Sequence, residues 1–444
     1  MKRYFEVIFV VCVIFLFSAV YVPITNADWS MYRSNPARNA VGTGDLGVAP
    51  TVLWKSNITW ALDQTNIDFE EHIWNTPAVV NGVVYICSSS RVVTNNYHNS
   101  LYWSDVFALD TSNGAEIWGY RINSSEQLSA PAVINGVVYF GSDVNKVYAL
   151  SASNGNLVWD SNIDNNGHSS PAVVNDVVYI GGYGGNIYAL NTTNGNIIWN
   201  RTAGVNVGWS SPAVVGGIVY LGSNDNNFYA LDTKNGNHLW KFNTNGWAMY
   251  SPAVANGVVY TSSSDGNIYA LNAATGIKLW NFSTIAINGE SPPAVSKGLV
   301  YFDSVDQNIY ALNAAFGTKV WNFTDANGTG SPPIVVNGIV ISARPSGLYA
   351  LNAINGAVIW NYSNPNVTFG SDPIVDNGNL YFGSGDGQVY ALGSLLSLSP
   401  SPSPTPSPSI PECPSWIILP FLIGTILFVL LKRNKFKPKI KRKP

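Results

Sequence analysis

Short apolar runs alternate with polar, Asn- and Gly-rich turns along most of this chain. One stretch reads Pro171-Ala172-Val173-Val174, the turn Asn175-Asp176, then Val177-Val178-Tyr179-Ile180-Gly181. Ile187-Tyr188-Ala189-Leu190 follows, then the polar stretch 191–196 and Ile197-Ile198-Trp199. Runs this short, rich in Val, Ile and Tyr and bounded by turn residues, predict β-strands. Asn-Gly pairs such as Asn135-Gly136 and Asn256-Gly257 supply the positive φ that a two-residue hairpin requires. The stretch therefore parses into four antiparallel strands.

This unit recurs. Its prolines fall at 77, 131, 171, 212, 252, 292, 332 and 373, and its aromatic-Ala-Leu element ends at Leu109, Leu150, Leu190, Leu231, Leu271, Leu312, Leu351 and Leu392. Its tryptophans are Trp54, Trp118, Trp159, Trp199, Trp240, Trp280, Trp321 and Trp360. Three landmarks, each present eight times at a period of roughly 40 residues, predict an all-β, eight-bladed propeller of four-stranded antiparallel blades over residues 28–396. The last unit stops at its third strand, Tyr390-Ala391-Leu392, whereas Trp54 precedes the first Pro-Ala-Val-Val. An N-terminal strand around Trp54 is therefore expected to close the last blade, which leaves the ring no open edge there.

Charge changes the picture at the ends. The chain carries 23 Lys and Arg against 26 Asp and Glu, but eight of the bases follow Leu431, and residues 28–413 hold 13 bases against 25 acids. A body this acidic, without a basic stripe, is expected to repel nucleic acid. Lys2 and Arg3 precede the apolar run from Val7 to Val22, and Thr25-Asn26-Ala27 offers small residues for cleavage, so residues 1–27 are expected to be a signal peptide. The Pro/Ser-rich stretch 397–414 is expected to form an extended stalk. The apolar segment 415–431 is expected to be a transmembrane helix, with the basic tail 432–444 on the cytoplasmic side. These segments together describe a single-pass cell-membrane protein with its propeller outside.

The element Ala189-Leu190-Asn191-Thr192-Thr193-Asn194-Gly195-Asn196-Ile197-Ile198-Trp199 resembles the tryptophan-docking motif of the pyrroloquinoline-quinone (PQQ) type propellers. Ala108–Trp118, Ala230–Trp240 and Ala270–Trp280 match similarly, and the opening Asp28-Trp29-Ser30-Met31-Tyr32-Arg33 resembles the lead-in of such proteins. The resemblance implies that the eight repeat tryptophans dock each blade on the next. Quinoprotein dehydrogenases of this kind hold PQQ beside a vicinal Cys-Cys disulfide, with a calcium bound by Glu and Asn and an Asp as base. Cys12, Cys87 and Cys413 are never adjacent, and no residue of that catalytic set maps onto this chain. No cofactor, no metal site and no catalytic residue are expected. A binding or scaffold module is expected instead, with a quinoprotein-like oxidoreductase as the alternative. Pro411-Glu412-Cys413-Pro414, with the apolar segment and basic cluster behind it, resembles the sorting signals read by archaeosortase and exosortase enzymes.

Two spacings break the repeat: Trp54 to Pro77, and Tyr85 to Phe107. The first insertion joins blades and the second joins strand two to strand three. In a propeller both loop classes emerge on one face, so both insertions are expected over blade one on the face that binds ligands. They contain Trp60, His72, Trp74, Arg91, Tyr97, His98, Tyr102 and Trp103, and other blade-joining loops bring His168, Trp209, Trp247, Tyr250 and Phe369. Aromatic side chains with a few polar groups suit a protein or carbohydrate partner. The Asp/Asn-rich turns beginning at Asp225, Asp265 and Asp386 are expected to be turn formers.

Overall fold

The computed structural model describes residues 32–393, apart from 36–37, 39, 43, 59–67, 74, 94–100, 124–126, 165–167, 249, 285–290, 366 and 370. The segments expected to be signal peptide, stalk, membrane helix, sorting signal and basic tail lie outside the described residues. No helix occurs among the described ones.

Eight antiparallel sheets form the propeller. Blade three is representative, with Ala172–Val174 innermost, then Val177–Gly181, Asn186–Asn191 and the outer Ile197–Thr202. The middle strands lie between neighbouring blades and are buried on both faces. The outer strand buries only Trp199. The hairpin turns use the expected conformation, with φ of 51° at Asn135 and 77° at Gly136. In blades six and seven the innermost strands begin at Ala294 and Ile334. The prolines in frame there are thus Pro293 and Pro333 rather than 292 and 332, because register with the first strand residue decides between the paired prolines.

Closure follows the expected scheme. Thr51–Asn57 pairs antiparallel with Gln388–Gly393, Thr51 opposite Gly393 and Asn57 opposite Gln388, so the N-terminal strand is the outer strand of blade eight. Two sheets depart from four strands. Val41–Gly42 lies parallel against Ile334–Val336, the innermost strand of blade seven. Asp68–His72 pairs with the far half of Val83–Val93 in blade one. The alternating landmarks give no sign of either, since neither added strand belongs to the repeat.

The repeat tryptophans tie each blade to the next. Trp159 Nε1–H donates to the Thr192 carbonyl at 2.7 Å, and Trp118 and Trp199 donate to the Ala152 and Thr233 carbonyls at 2.8 Å. Seven of the eight indoles lie on the glycine of the neighbouring third-to-fourth-strand turn. Gly195 has φ +71°, and a Cβ there would meet the Trp159 ring at 2.5 Å. The motif's glycine is therefore needed twice, for its left-handed backbone and for the ring it must admit. Blade eight lacks such a turn, because its third and fourth strands come from opposite ends of the chain. Leu46 of the N-terminal segment supplies the missing carbonyl and accepts from Trp360 Nε1–H at 2.5 Å.

Candidate functional site

Blade-joining loops and second-to-third-strand turns share one face, here called upper. Its inner wall is set by the residue two positions before each in-frame proline, a serine in six blades, Asn75 in blade one and Tyr250 in blade five. Ser129, Ser169, Ser210, Ser291 and Ser371 accept the backbone N–H of Gly141, Gly181, Gly222, Asp303 and Gly383 at 2.8–3.0 Å. Next to them, Ser170 and Ser211 N–H donate to Ser211 and Ser251 Oγ at 2.9 Å, which links blades three to five around the axis. The space enclosed is a funnel of about 1550 Å³.

Tyr32 lines the funnel, and the Gly44 carbonyl accepts from Asn337 Nδ2 on the opposite, lower face, so the described residues of this N-terminal stretch form a strap between the two faces. Two buried arginines fix this strap. Arg38 donates through Nε to the Pro212 carbonyl, through Nη2 to that of Ser170 and through Nη1 to that of Tyr32, at 2.7–2.8 Å. Arg33 Nη2 donates to the Pro333 carbonyl at 3.1 Å. Burial, with Arg33 nearby, pulls the Arg38 guanidinium down to about 9, so it remains a cation at neutral pH. The strap was not legible as such in the sequence. Its signal is two bases in a body that holds few.

Five of the candidate residues meet at the funnel: His168, Trp209, Trp247, Tyr250 and Phe369. The His168 ring stacks on Trp209 with centroids 3.8 Å apart and planes at 17°. Trp209 and Trp247 are 38% and 53% exposed, whereas Tyr250 is buried and Phe369 packs on Phe382. Asn75, Thr76 and Gln127 at the blade-one loops also reach the rim. The backbone of His72 lies in the added strand of blade one, and those of Arg91 and Tyr102 lie in the lengthened strands Val83–Val93 and Leu101–Asp110. Trp103 is buried in the same hairpin, with the Arg121 guanidinium 5.2 Å from its ring. Trp60, Trp74, Tyr97 and His98 lie outside the described residues.

Burial pulls the His168 imidazole down to about 4, against an opposing pull from Asp143. Its NMR titration is expected near pH 4, well below the ordinary 6.5. Unfolding between these pH values takes up a proton. The contribution of this group to stability is therefore complete above pH 6.5 and is lost as pH falls through 4. His168→Gln is expected to lose less stability than the parent on acidification from pH 7 to 4. Equal losses in urea titrations would contradict this assignment.

The funnel wall also holds a pair that the landmark spacing missed. The second strand ends in Gly-Ser or a similar small pair in most blades, but Asp303 takes the first position in blade six and Arg344 the second in blade seven. Arg344 is fully buried, 3.4 Å from Asp303 and 3.5 Å from Asp325, and it donates to the Gln307 and Gly328 carbonyls. Burial pushes the Asp303 carboxyl up to about 6 despite the attraction of Arg344. Residue identity at that small position, not spacing, was the available signal. The acidic turns behave as expected: Asp225 Oδ1 accepts the Asn227 N–H, and its Oδ2 accepts the Tyr229 hydroxyl.

The sequence profile of the family described as outer membrane protein assembly factor BamB matches residues 102–241, 185–322 and 286–395, together about two thirds of the chain. The chain belongs to this family. BamB from Moraxella catarrhalis superposes on it with a TM-score of 0.59 and 19% identity, over 78% of this chain and 98% of that one. The quinohemoprotein alcohol dehydrogenase of Comamonas testosteroni superposes with 0.67 and 15% identity, over 83% of this chain and 80% of its own. At such identities the likeness is one of fold. The sequence of the Comamonas testosteroni enzyme is 29% identical over 134 residues, and that of the Gluconobacter oxydans quinone-type alcohol dehydrogenase subunit is 29% identical over 115. The matches span only 15% and 13% of those relatives' lengths. The vicinal cysteine pair of such dehydrogenases has no counterpart in the described funnel of this BamB-type propeller. No cysteine lines it, Cys87 is buried, and no three His, Cys, Asp or Glu side chains converge for a metal among the described residues.

Proposed function

We propose that the chain is an extracytoplasmic, membrane-anchored scaffold propeller whose upper funnel binds an extended ligand, either a protein segment or a glycan. The shape of the funnel carries this reading. Pockets for small molecules occupy about 300–1000 Å³, and this one is larger, at about 1550 Å³. Trp209 and Trp247, exposed beside backbone and serine hydroxyl groups, offer flat apolar surfaces next to hydrogen-bonding groups, which suits a sugar ring or a peptide. The family's description as an assembly factor supports a protein partner. The anchor rests on the apolar segment 415–431 and the basic residues after it.

The test is a binding screen of full-length protein against glycans and unfolded-protein peptides. Each aromatic contact is worth about 0.5–1.5 kcal/mol, so Trp209→Ala/Trp247→Ala is expected to weaken binding by roughly tenfold. Trp247 is the more exposed of the two, so Trp247→Ala alone should leave the urea unfolding curve in place, whereas loss of the Trp209 stack on His168 should cost about 0.5–1.5 kcal/mol. Unchanged binding would sink the reading. One observation favours a second reading, a quinoprotein-like oxidoreductase: both curated relatives are dehydrogenases of that kind. Purified protein supplied with PQQ and calcium should then acquire a bound chromophore and oxidise alcohols.

A further inference from the structure

The lower face, opposite the funnel, is divided in character. In blades one to four the third-to-fourth-strand turns are polar, with Asn113, Asn154, Asn194 and Asn235 before their glycines. Blades five, six and seven each add one large apolar side chain in or beside that turn: Ile277 just after its glycine, Phe316 just before, and Ile354 two before, where Asn355 is kept. Ile277, Phe316 and Ile354 are 65%, 74% and 76% exposed, the highest values of any large hydrophobic residue described. The three blades are neighbours, so the side chains lie along one arc. Val48, also exposed, continues the arc between Leu46 and Thr51 at blade eight.

Charge divides the same way. The lower turns and adjoining strand starts of blades five to seven carry Lys278, Lys297 and Lys319, all exposed, and no acid. The same positions in blades one to four carry Asp110, Glu116, Asp176 and Asp232, with Lys234. Asp45, beside Gly378, marks the blade-eight end of the arc. In a body with 13 bases and 25 acids, this is a local reversal of sign. Single apolar tips among lysines, separated by polar turn residues, form no groove for a helix or strand. They have the pattern of a surface that dips into a lipid interface.

The chain itself points to the same occupant. The third strand of blade eight ends at Gly393, opposite Thr51, on this lower face. The Ser/Pro stretch, the apolar segment 415–431 and the basic tail all follow from there. We propose that the lower arc of blades five to seven rests on an anionic lipid surface, with Ile277, Phe316 and Ile354 inserted below the headgroups and Lys278, Lys297 and Lys319 against them. The inference rests on reading 415–431 as a membrane anchor. Docked in this way, the propeller presents its funnel away from the membrane.

The test uses the full chain carrying Cys12→Ser and Cys413→Ser, since Cys87 is buried. Phe316→Cys or, separately, Asn194→Cys is labelled with an environment-sensitive fluorophore, and each protein is reconstituted into phosphatidylcholine–phosphatidylglycerol vesicles containing lipid-borne quencher. Quenching at 316 is expected to exceed that at 194, the equivalent turn on blade three, by about threefold. Equal quenching at the two sites, in a chain that resists alkaline extraction, overturns the docking but keeps the anchor. A label at 316 shielded from water yet untouched by the lipid quencher also overturns it, and indicates a protein on this face. A chain washed off by alkaline carbonate overturns the anchor, and this inference with it.

Discussion

Replacing Trp54 with Ala is expected to lower the unfolding free energy by about 3–5 kcal/mol, the range for a buried Trp truncated to Ala. The side chain is 8% exposed, lies 5.9 Å from Tyr381 between ring centroids, and donates Nε1–H to the Thr111 carbonyl at 2.8 Å. Gly114, whose Cβ would meet this ring at 2.5 Å, would face a hole. Trp199→Ala removes an equivalent contact, but its strand is tied covalently to the third strand of its own blade through the turn 192–196. The Trp54 strand is joined to the rest of blade eight by hydrogen bonds alone. Limited proteolysis should therefore cut Trp54→Ala around residues 44–57 while leaving Trp199→Ala intact there. Trp54→Phe should keep most of the packing and lose about 1 kcal/mol for the missing hydrogen bond. Equal protease resistance in the two Ala variants would mean that closure does not depend on this side chain.

The second large effect belongs to Arg38. Its guanidinium satisfies three carbonyls, those of Ser170 and Pro212 buried and that of Tyr32 part-buried. Arg38→Met keeps much of the volume and orphans all three. An unpaired buried carbonyl costs about 1–3 kcal/mol. Water entering the axis recovers part of this, so a loss of about 3–5 kcal/mol is expected in urea unfolding. Arg38→Lys should recover little, because an ammonium on a flexible stem does not reproduce the planar fork that meets three carbonyls at once. A loss below about 1 kcal/mol for Arg38→Met would show that the strap is a passenger in the channel.

The repeat was legible because its landmarks reinforce one another. A proline, an aromatic-Ala-Leu and a tryptophan recur in fixed order, and each marks a strand whose burial pattern depends on its position in the blade. Closure by the Trp54 strand could be read from one missing outer strand and one surplus one. The strap could not. Residues 32–46 show no alternation, and the partners of Arg38 lie 132 and 174 residues further along the chain. The two insertions were visible as length, but the pairing of Asp68–His72 with Ser89–Val93 was not, because Asp-Phe-Glu-Glu-His has no strand-like alternation. Asp303 and Arg344 escaped because spacing locates strands and is blind to a charged residue that occupies a small residue's place. His168 and Trp209 were named as loop residues. That they stack follows only from the angle at which blades three and four meet.

Closure of blade eight by the Trp54 strand also sets a timetable. Thr51 and its partner Gly393 are 342 residues apart. At roughly 5–20 residues per second of synthesis, that strand waits on the order of 20–70 s for its neighbour to be made. Throughout this interval the growing arc has two unpaired edges, and the strap has no complete channel to fill. Two nascent chains that meet in that interval can exchange their first strands and close each other's rings. The yield of monomer therefore depends on how crowded the site of synthesis is, and a slow supply of chains should favour rings that close on themselves.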